Sequence, residues 1–170
     1  MVEQTANVLF LCTGNSARSI LAEALINHWG NGLFRGFSAG SYPKGEVHPM
    51  ALRLLEQFGM ATAELRSKSW DEFAAPNAPK MDYIFTVCDQ AAGEICPIWP
   101  GHPITAHWGL PDPAAVAGPS AEQAAAFRET FRVLETRVRF FLALQFKKLG
   151  RADLQRKAVE AGKLTADPVS

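Results

Sequence analysis

A short buried strand that leads directly into a helix, close to the N-terminus, constrains the fold most strongly. Residues 7–11 form an apolar run bounded by polar residues, which is typical of a buried strand. From Ser19 onward, apolar residues recur at helical spacing until Gly30 and Gly32 end the pattern. One tight loop must therefore connect a strand to a helix.

The rest of the chain repeats this alternation of strands and helices. Strand patterns occur near residues 34–37, 82–87 and 104–108, and helical patterns cover residues 49–58 and about 120–149. We expect Ser120 to cap the last of these helices, with Gln123 three residues further on. Strands that alternate with helices predict an α/β fold in which a parallel sheet is covered on both faces.

Chain length and composition bound the domain organisation. A length of 170 residues favours one domain, and we expect residues 1–150 to form a single catalytic domain. Residues 151–170 have few large apolar side chains. We expect them to form a C-terminal tail, as a short helix or a partly disordered segment, that adds little to the core.

The balance of charge excludes several classes of partner. The 17 Lys and Arg residues equal the 17 Asp and Glu residues in number, so the chain lacks the excess of positive charge that nucleic-acid binding requires.

The longest apolar stretches, such as residues 140–144, are far shorter than the roughly 20 residues that span a membrane. The first residues show no basic region followed by an apolar run, so they predict no secretory signal. We expect neither a nucleic-acid nor a membrane partner.

The chain has three cysteines, Cys12, Cys88 and Cys96. An odd number cannot complete a framework of structural disulfides, which favours a reducing compartment and a cytoplasmic protein. Each cysteine is then a free thiol, a metal ligand or a redox group. The eight-residue spacing from Cys88 to Cys96, with no matching pair of His or Cys, is not a zinc pattern. We predict no metal and no cofactor.

The loop between the first strand and the first helix has the composition of an anion site. Its backbone N–H groups can converge on one point at the N-terminus of a helix, and Arg18 adds a bidentate donor for two oxygens of a tetrahedral anion. We expect Cys12 to lie under that anion as a nucleophile whose pKa is lowered by these groups. The predicted substrate-binding residues are Thr13, Gly14, Asn15, Ser16, Ala17, Arg18 and Ser19.

A carboxylic acid flanked by two prolines follows the last predicted strand. Asp112 lies between Pro111 and Pro113, and such a segment on its own is typical of a turn. Beside a thiolate and an oxyanion, an acid is what the chemistry needs, because a departing oxygen must be protonated. We therefore predict Asp112 as the general acid.

With these residues the sequence resembles the low-molecular-weight protein tyrosine phosphatase superfamily, and within it the arsenate reductases. The resemblance rests on residues 8–19, on residues 38–40 and on the pair Asp112-Pro113. It implies a three-layer α/β sandwich with a four-stranded parallel sheet flanked by helices, and catalysis through a covalent adduct of Cys12. It also matches Asn15, Glu23 and Ser38 to part of a monovalent-cation site, without a fourth ligand.

The two remaining cysteines resemble those of reductases that use a thiol relay. Cys88 follows the third predicted strand, whose carboxyl end lies at the same edge of the sheet as Cys12. The resemblance implies that Cys12 attacks arsenate, that Cys88 displaces arsenite to form a Cys12–Cys88 disulfide, and that Cys96 moves this disulfide to Cys88–Cys96. Thioredoxin, or glutaredoxin with glutathione, would then reduce it.

Geometry adds a condition to this relay. A helix over residues 88–96 would hold the two cysteines about 12 Å apart, whereas the Cα atoms of disulfide-bonded cysteines lie about 4.4–6.8 Å apart. This segment must be bent already or must unwind on oxidation.

Two other functions stay open. A phosphotyrosine phosphatase would use the same loop, but residues 114–116 after the acid are Ala-Ala-Val and offer no aromatic ring for a substrate. A noncatalytic oxyanion-binding or arsenic-sensing protein would stop after stoichiometric oxidation.

Overall fold

Ten helical and strand segments are present in the computed structural model, which describes residues 5–88, 99 and 101–165. The strands are β1 (Ala6–Cys12), β2 (Phe34–Gly40), β3 (Tyr83–Thr86) and β4 (Ile104–His107). The helices are α1 (Arg18–Trp29), α2 (Pro49–Gln57), α3 (Asp71–Ala74), α4 (Ser120–Leu142) and α5 (Arg151–Ala161), with a 3-10 turn at Pro113–Ala115.

The four strands form one parallel sheet in the order β2-β1-β3-β4. Because β1 lies between β2 and β3, its carboxyl end is flanked by the ends of two other strands: Cys12 pairs with Gly40, and Leu11 pairs with Thr86. The predicted fold class, a four-stranded parallel sheet flanked by helices, is confirmed.

Side chains of β1 alternate between two separate cores. Val8 and Phe10 pack with residues of α1, α2 and α4 on one face. Leu9 and Leu11 pack on the other face against Phe73 of α3. Both faces of the sheet are therefore covered, as expected for a parallel sheet whose strands are apolar throughout.

The long helix α4 is shorter than its apolar pattern predicts. It ends at Leu142 instead of near residue 149, with the N–H of Ala143 bonded to the carbonyls of Arg139 and Phe140. Phe146, which continues the apolar period, lies in the following turn and packs against the ring of Phe34 at 5.1 Å. The period therefore reflects burial against the sheet and not continued helix.

The start of α4 also differs from the prediction. Pro119, not Ser120, is the N-cap, and no side chain caps the helix. Gln123 donates instead to the carbonyl of Ala114, at 3.2 Å. The predicted capping box is therefore wrong.

The segment after Gly150 contributes more to the core than its composition predicts. Ala158 and Ala161 of α5 are fully buried, and the Trp108 indole donates to the Ala158 carbonyl at 2.9 Å. Small side chains permit this close approach, which is why a search for large apolar residues misses it.

Two properties of the described residues bear on partners. None of their helices is both long enough and apolar enough to cross a membrane. Nor do they include a cluster of three or more His, Cys, Asp or Glu side chains placed to hold a metal ion.

Candidate active site

Two thiols meet at the carboxyl edge of the sheet. Cys12 ends β1 and Cys88 follows β3, and both are almost fully buried, at 5% and 3% exposure. The two side chains are hydrogen-bonded to each other, and Thr13 Oγ1 lies 3.6 Å from Cys88 Sγ. The parallel pairing of β1 with β3 thus brings together two cysteines that are far apart in sequence. Cys96, the third predicted thiol, lies outside the described residues, as does most of the segment expected to bend or unwind.

The loop after Cys12 is held from outside by the segment that follows β2. Backbone N–H groups of Tyr42, Lys44 and His48 donate to the carbonyls of Thr13, Gly14 and Ser16 at 3.0, 2.9 and 2.9 Å respectively. In a planar trans peptide the N–H points opposite to the carbonyl. Carbonyls fixed outward therefore turn the following N–H groups toward the inside of the loop.

Close packing between β2 and the loop supports this arrangement. A Cβ on Gly40 would lie 2.4 Å from the carbonyl oxygen of Thr13 and 2.8 Å from that of Cys12. Only glycine lets the loop approach the end of β2 so closely.

Asn15 is the central polar residue of the loop. It is fully buried and has a φ of 46°, in the left-handed region that Asn tolerates better than most residues. Its side-chain N–H groups donate to Ser19 Oγ at 2.8 Å and to Ser38 Oγ at 3.0 Å. Its carbonyl oxygen accepts from the backbone N–H of Lys68 at 2.9 Å. Every polar atom of the side chain is therefore used to fix the loop.

A buried ion pair extends this network away from the loop. Ser38 donates to Glu23 Oε1 at 2.5 Å, and the Lys68 ammonium lies 3.7 Å from the same oxygen. Burial raises the pKa of Glu23 and lowers that of Lys68, while the attraction between the two opposes both shifts. Sequence patterns did not indicate Lys68, which lies in a loop 45 residues after Glu23 in the chain.

Arg18 and Asp112 face each other across the mouth of the loop. Their side chains are 3.8 Å apart, and Arg18 also donates to the carbonyl of Leu110 at 2.9 Å. Asp112 accepts from the N–H of Ala114 at 3.0 Å, which leaves its second oxygen toward Arg18. The segment that carries Asp112 is thus bonded directly to residues 12–18, the anion loop.

These residues surround a small cavity of about 200 Å³, lined by Cys12, Thr13, Gly14, Asn15, Ser16, Ala17, Arg18, Tyr42, Lys44 and Asp112. Of the predicted binding residues, Ser19 does not line it; its hydroxyl is buried and bonded to Asn15. Tyr42 and Lys44 were not predicted as site residues. Their position in the sequence could have indicated them, because they follow a strand that ends at the same edge of the sheet as Cys12.

The electrostatics of Cys12 differ from the prediction. The hydrogen bond with Cys88 and burial raise the pKa of Cys12, and the Arg18 guanidinium and the N–H of Thr13 oppose this only in part. The predicted lowering of the pKa is therefore wrong for the reduced pair. Two thiols in contact titrate as a unit, and the second proton is harder to remove than the first.

A buried thiol beneath an arginine-lined cavity, at the end of the central strand of a parallel sheet, places the protein among α/β proteins with a cysteine-based site. The family model for low molecular weight phosphotyrosine protein phosphatase matches residues 7–158. The chain belongs to this family.

Individual relatives carry a more specific name. An arsenate reductase of Halalkalibacterium halodurans is 33% identical over 134 residues, which are 79% of this chain and 93% of that protein. The crystal structure of an arsenate reductase from Archaeoglobus fulgidus aligns with a TM-score of 0.61 at 28% identity, over 81% of this chain and 99% of that one.

A third relative is a thioredoxin-dependent arsenate reductase of Corynebacterium glutamicum. It aligns with a TM-score of 0.55 at 25% identity, over 82% of this chain and 64% of that one. This chain therefore spans just under two thirds of the length of that protein.

Proposed function

We propose that this chain is an arsenate reductase that reduces arsenate to arsenite with its own thiols. The observation that carries the proposal is the hydrogen bond between the Cys12 and Cys88 side chains at the start of the anion loop. A phosphatase needs one thiol, whereas reduction of arsenate needs two electrons and hence two thiols. Relatives named arsenate reductase support the same substrate.

The proposed first step is the formation of a bond between Cys12 sulfur and arsenic. Arg18 and the inward N–H groups of the loop bind the arsenate oxygens. Asp112 protonates one oxygen, which leaves as water while the sulfur takes its place. The cavity of about 200 Å³ has room for a small tetrahedral anion.

In the second step, Cys88 attacks the sulfur of the Cys12 adduct. A Cys12–Cys88 disulfide forms, the sulfur–arsenic bond breaks and its electron pair stays on arsenic. Arsenic is thereby reduced from the pentavalent to the trivalent state, and two thiols are oxidised to one disulfide. The hydrogen bond between the Cys12 and Cys88 side chains supports this attack.

The proposed return to the reduced state uses Cys96 and thioredoxin. Cys96 attacks Cys88, releases Cys12 and leaves a Cys88–Cys96 disulfide for the external reductant. The thioredoxin-dependent relative favours this donor. Glutathione with glutaredoxin is the alternative donor.

The proposal is tested by arsenate-dependent oxidation of NADPH in the presence of thioredoxin and thioredoxin reductase. We expect continuous turnover by the wild-type chain and none by Cys12→Ser or Cys88→Ser, because each lacks one of the two electron-donating thiols. The Cys96→Ser variant is the matched control: full turnover with thioredoxin would exclude the three-thiol relay while preserving the reductase. Absence of turnover with both thioredoxin and glutaredoxin would contradict the proposed function, and a single stoichiometric oxidation would indicate a sensor.

One observation favours a second candidate function, hydrolysis of an aryl phosphate. Tyr42 lines the cavity with 75% of its surface exposed, so an aromatic ring is available at the mouth although none follows Asp112. Such a ring can stack on a substrate ring. A specificity constant for an aryl phosphate far above that for arsenate would make the chain a phosphatase.

A further inference from the structure

A buried arginine on α4 contacts the segment that carries Asp112. Arg137 is only 6% exposed. Its guanidinium donates to the carbonyl of Trp108 at 2.7 Å and, at 3.5 Å, to that of Gly109. A third bond, at 2.9 Å, runs to the carbonyl of Leu164 beyond α5. The side chain thus joins the chain just before the acid to the C-terminal segment.

The burial of the Arg137 side chain is energetically unfavourable. Burial lowers the pKa of Arg137, because a charged group loses its hydration inside the protein. Among the described residues, its guanidinium donates to neutral carbonyls, which replace only part of the lost hydration. An apolar residue at this place would avoid the penalty altogether.

The acid-bearing segment, residues 109–112, is fixed from two sides. Arg18 holds the carbonyl of Leu110 from the anion loop, and Arg137 holds the carbonyls of Trp108 and Gly109 from behind. Few residues separate these anchors from Asp112, and the flanking prolines limit its backbone further. The backbone just before Asp112 is therefore held by two guanidinium groups, one in the site and one in the core.

The C-terminal segment packs against Trp108 and bonds to Arg137. A Cβ on Gly162 would lie 2.5 Å from Trp108 Cδ1 and 2.6 Å from the carbonyl of His107, so the chain after α5 packs directly against the start of the acid-bearing segment. Trp108 also donates to Ala158 in α5. Leu164, two residues after Gly162, accepts from Arg137.

We propose that Arg137 is a positioning residue for the general acid: it sets the place of Asp112 by holding the carbonyls of Trp108 and Gly109, with the segment after α5 as its outer support. This inference rests on the proposed function, in which Asp112 protonates the departing oxygen. Arg137 does not line the cavity, so its influence on the reaction passes through Asp112.

The kinetic test is a double-mutant cycle between Arg137→Gln and Asp112→Asn, with arsenate and the thioredoxin system. Loss of a general acid lowers a rate by roughly 10²- to 10⁴-fold. We expect Arg137→Gln alone to lower kcat about 10-fold or more, up to that limit, with KM for arsenate little changed. In the Asp112→Asn background the same substitution should change kcat by less than about twofold. The exposed Arg128→Gln, on the same helix, is the matched control.

A second readout does not depend on turnover. Hydrogen exchange measured on the peptide that covers residues 109–115 should rise in Arg137→Gln, while exchange in residues 12–19 stays as in the wild type. Arg128→Gln should leave both peptides unchanged.

The outcomes separate the two proposals. A wild-type chain without arsenate turnover would contradict the proposed function, and the exchange experiment would still test Arg137. Unchanged exchange in residues 109–115, or a rise spread over the whole chain, would overturn the positioning role. So would an equal loss of kcat from Arg137→Gln in the Asp112→Asn background.

Discussion

At the scale of single residues, the reactivity of Cys12 depends on its neighbour. The loop supplies Arg18 and an N–H group that stabilise a thiolate, yet contact with Cys88 and burial outweigh them. The hydrogen bond between the two thiols therefore helps to hold a proton on the pair. In the proposed reaction Cys88 attacks the adduct in the second step, whereas before the first step it raises the pKa of Cys12.

This balance gives a prediction for Cys88→Ala. The substitution removes the hydrogen bond that raises the pKa of Cys12, so the pKa should fall and more thiolate should be present at neutral pH. The pH dependence of iodoacetamide alkylation at Cys12, followed by mass spectrometry in a Cys96→Ser background, measures this directly. The midpoint should move to lower pH relative to Cys96→Ser alone; an unchanged or higher midpoint would show that Cys88 does not control the ionisation.

At the scale of elements, the buried pair Glu23–Lys68 links α1, β2 and the anion loop. Glu23 accepts from Ser38 of β2, Ser38 accepts from Asn15, and the backbone of Lys68 bonds to Asn15 in turn. The ion pair and the loop therefore form one connected network. Removing Lys68 leaves a buried carboxylate without its cation.

We predict that Lys68→Met destabilises the fold by roughly 3–5 kcal/mol at pH 8, the usual result of breaking a buried ion pair. The loss should be smaller at pH 5. Burial raises the pKa of Glu23 in the folded state, and without Lys68 it rises further. The destabilisation caused by the unpaired Glu23 carboxylate is absent at a pH where Glu23 is protonated in both the folded and the unfolded state. It grows as the pH rises above the pKa of Glu23 in the unfolded state.

Urea unfolding at the two pH values measures this difference, with the exposed Lys163→Met as the matched control. Equal destabilisation of Lys68→Met at pH 5 and pH 8 would mean that Glu23 is not the group responsible.

Elements differ in how far the sequence predicts them. The strand, loop and helix from β1 to α1 are predictable because apolar periodicity, turn residues and chemistry all change at the same positions. The end of α4 is not, because the apolar period continues through Phe146 after the helix has ended at Leu142. Lys68 and Arg137 are also beyond sequence patterns, since their partners come from distant parts of the chain.

At the scale of the whole molecule, the parallel sheet assembles the site. Strands β1, β2 and β3 end at one edge and contribute Cys12, the segment with Tyr42 and Lys44, and Cys88, respectively. The general rule that ligands bind at this edge predicts where the site lies. This rule does not predict which side chains touch, and the pairing of Cys12 with Cys88 was implied only by the resemblance to reductases that use a thiol relay.

The proposed supply of both electrons for arsenate reduction by Cys12 and Cys88 is tested most directly by a single turnover of the reduced Cys96→Ser variant with arsenate, followed by disulfide mapping and quantification of arsenite. We predict a Cys12–Cys88 disulfide and one arsenite for each disulfide formed. Release of arsenite while both thiols remain free, or no arsenite at all, would contradict the account.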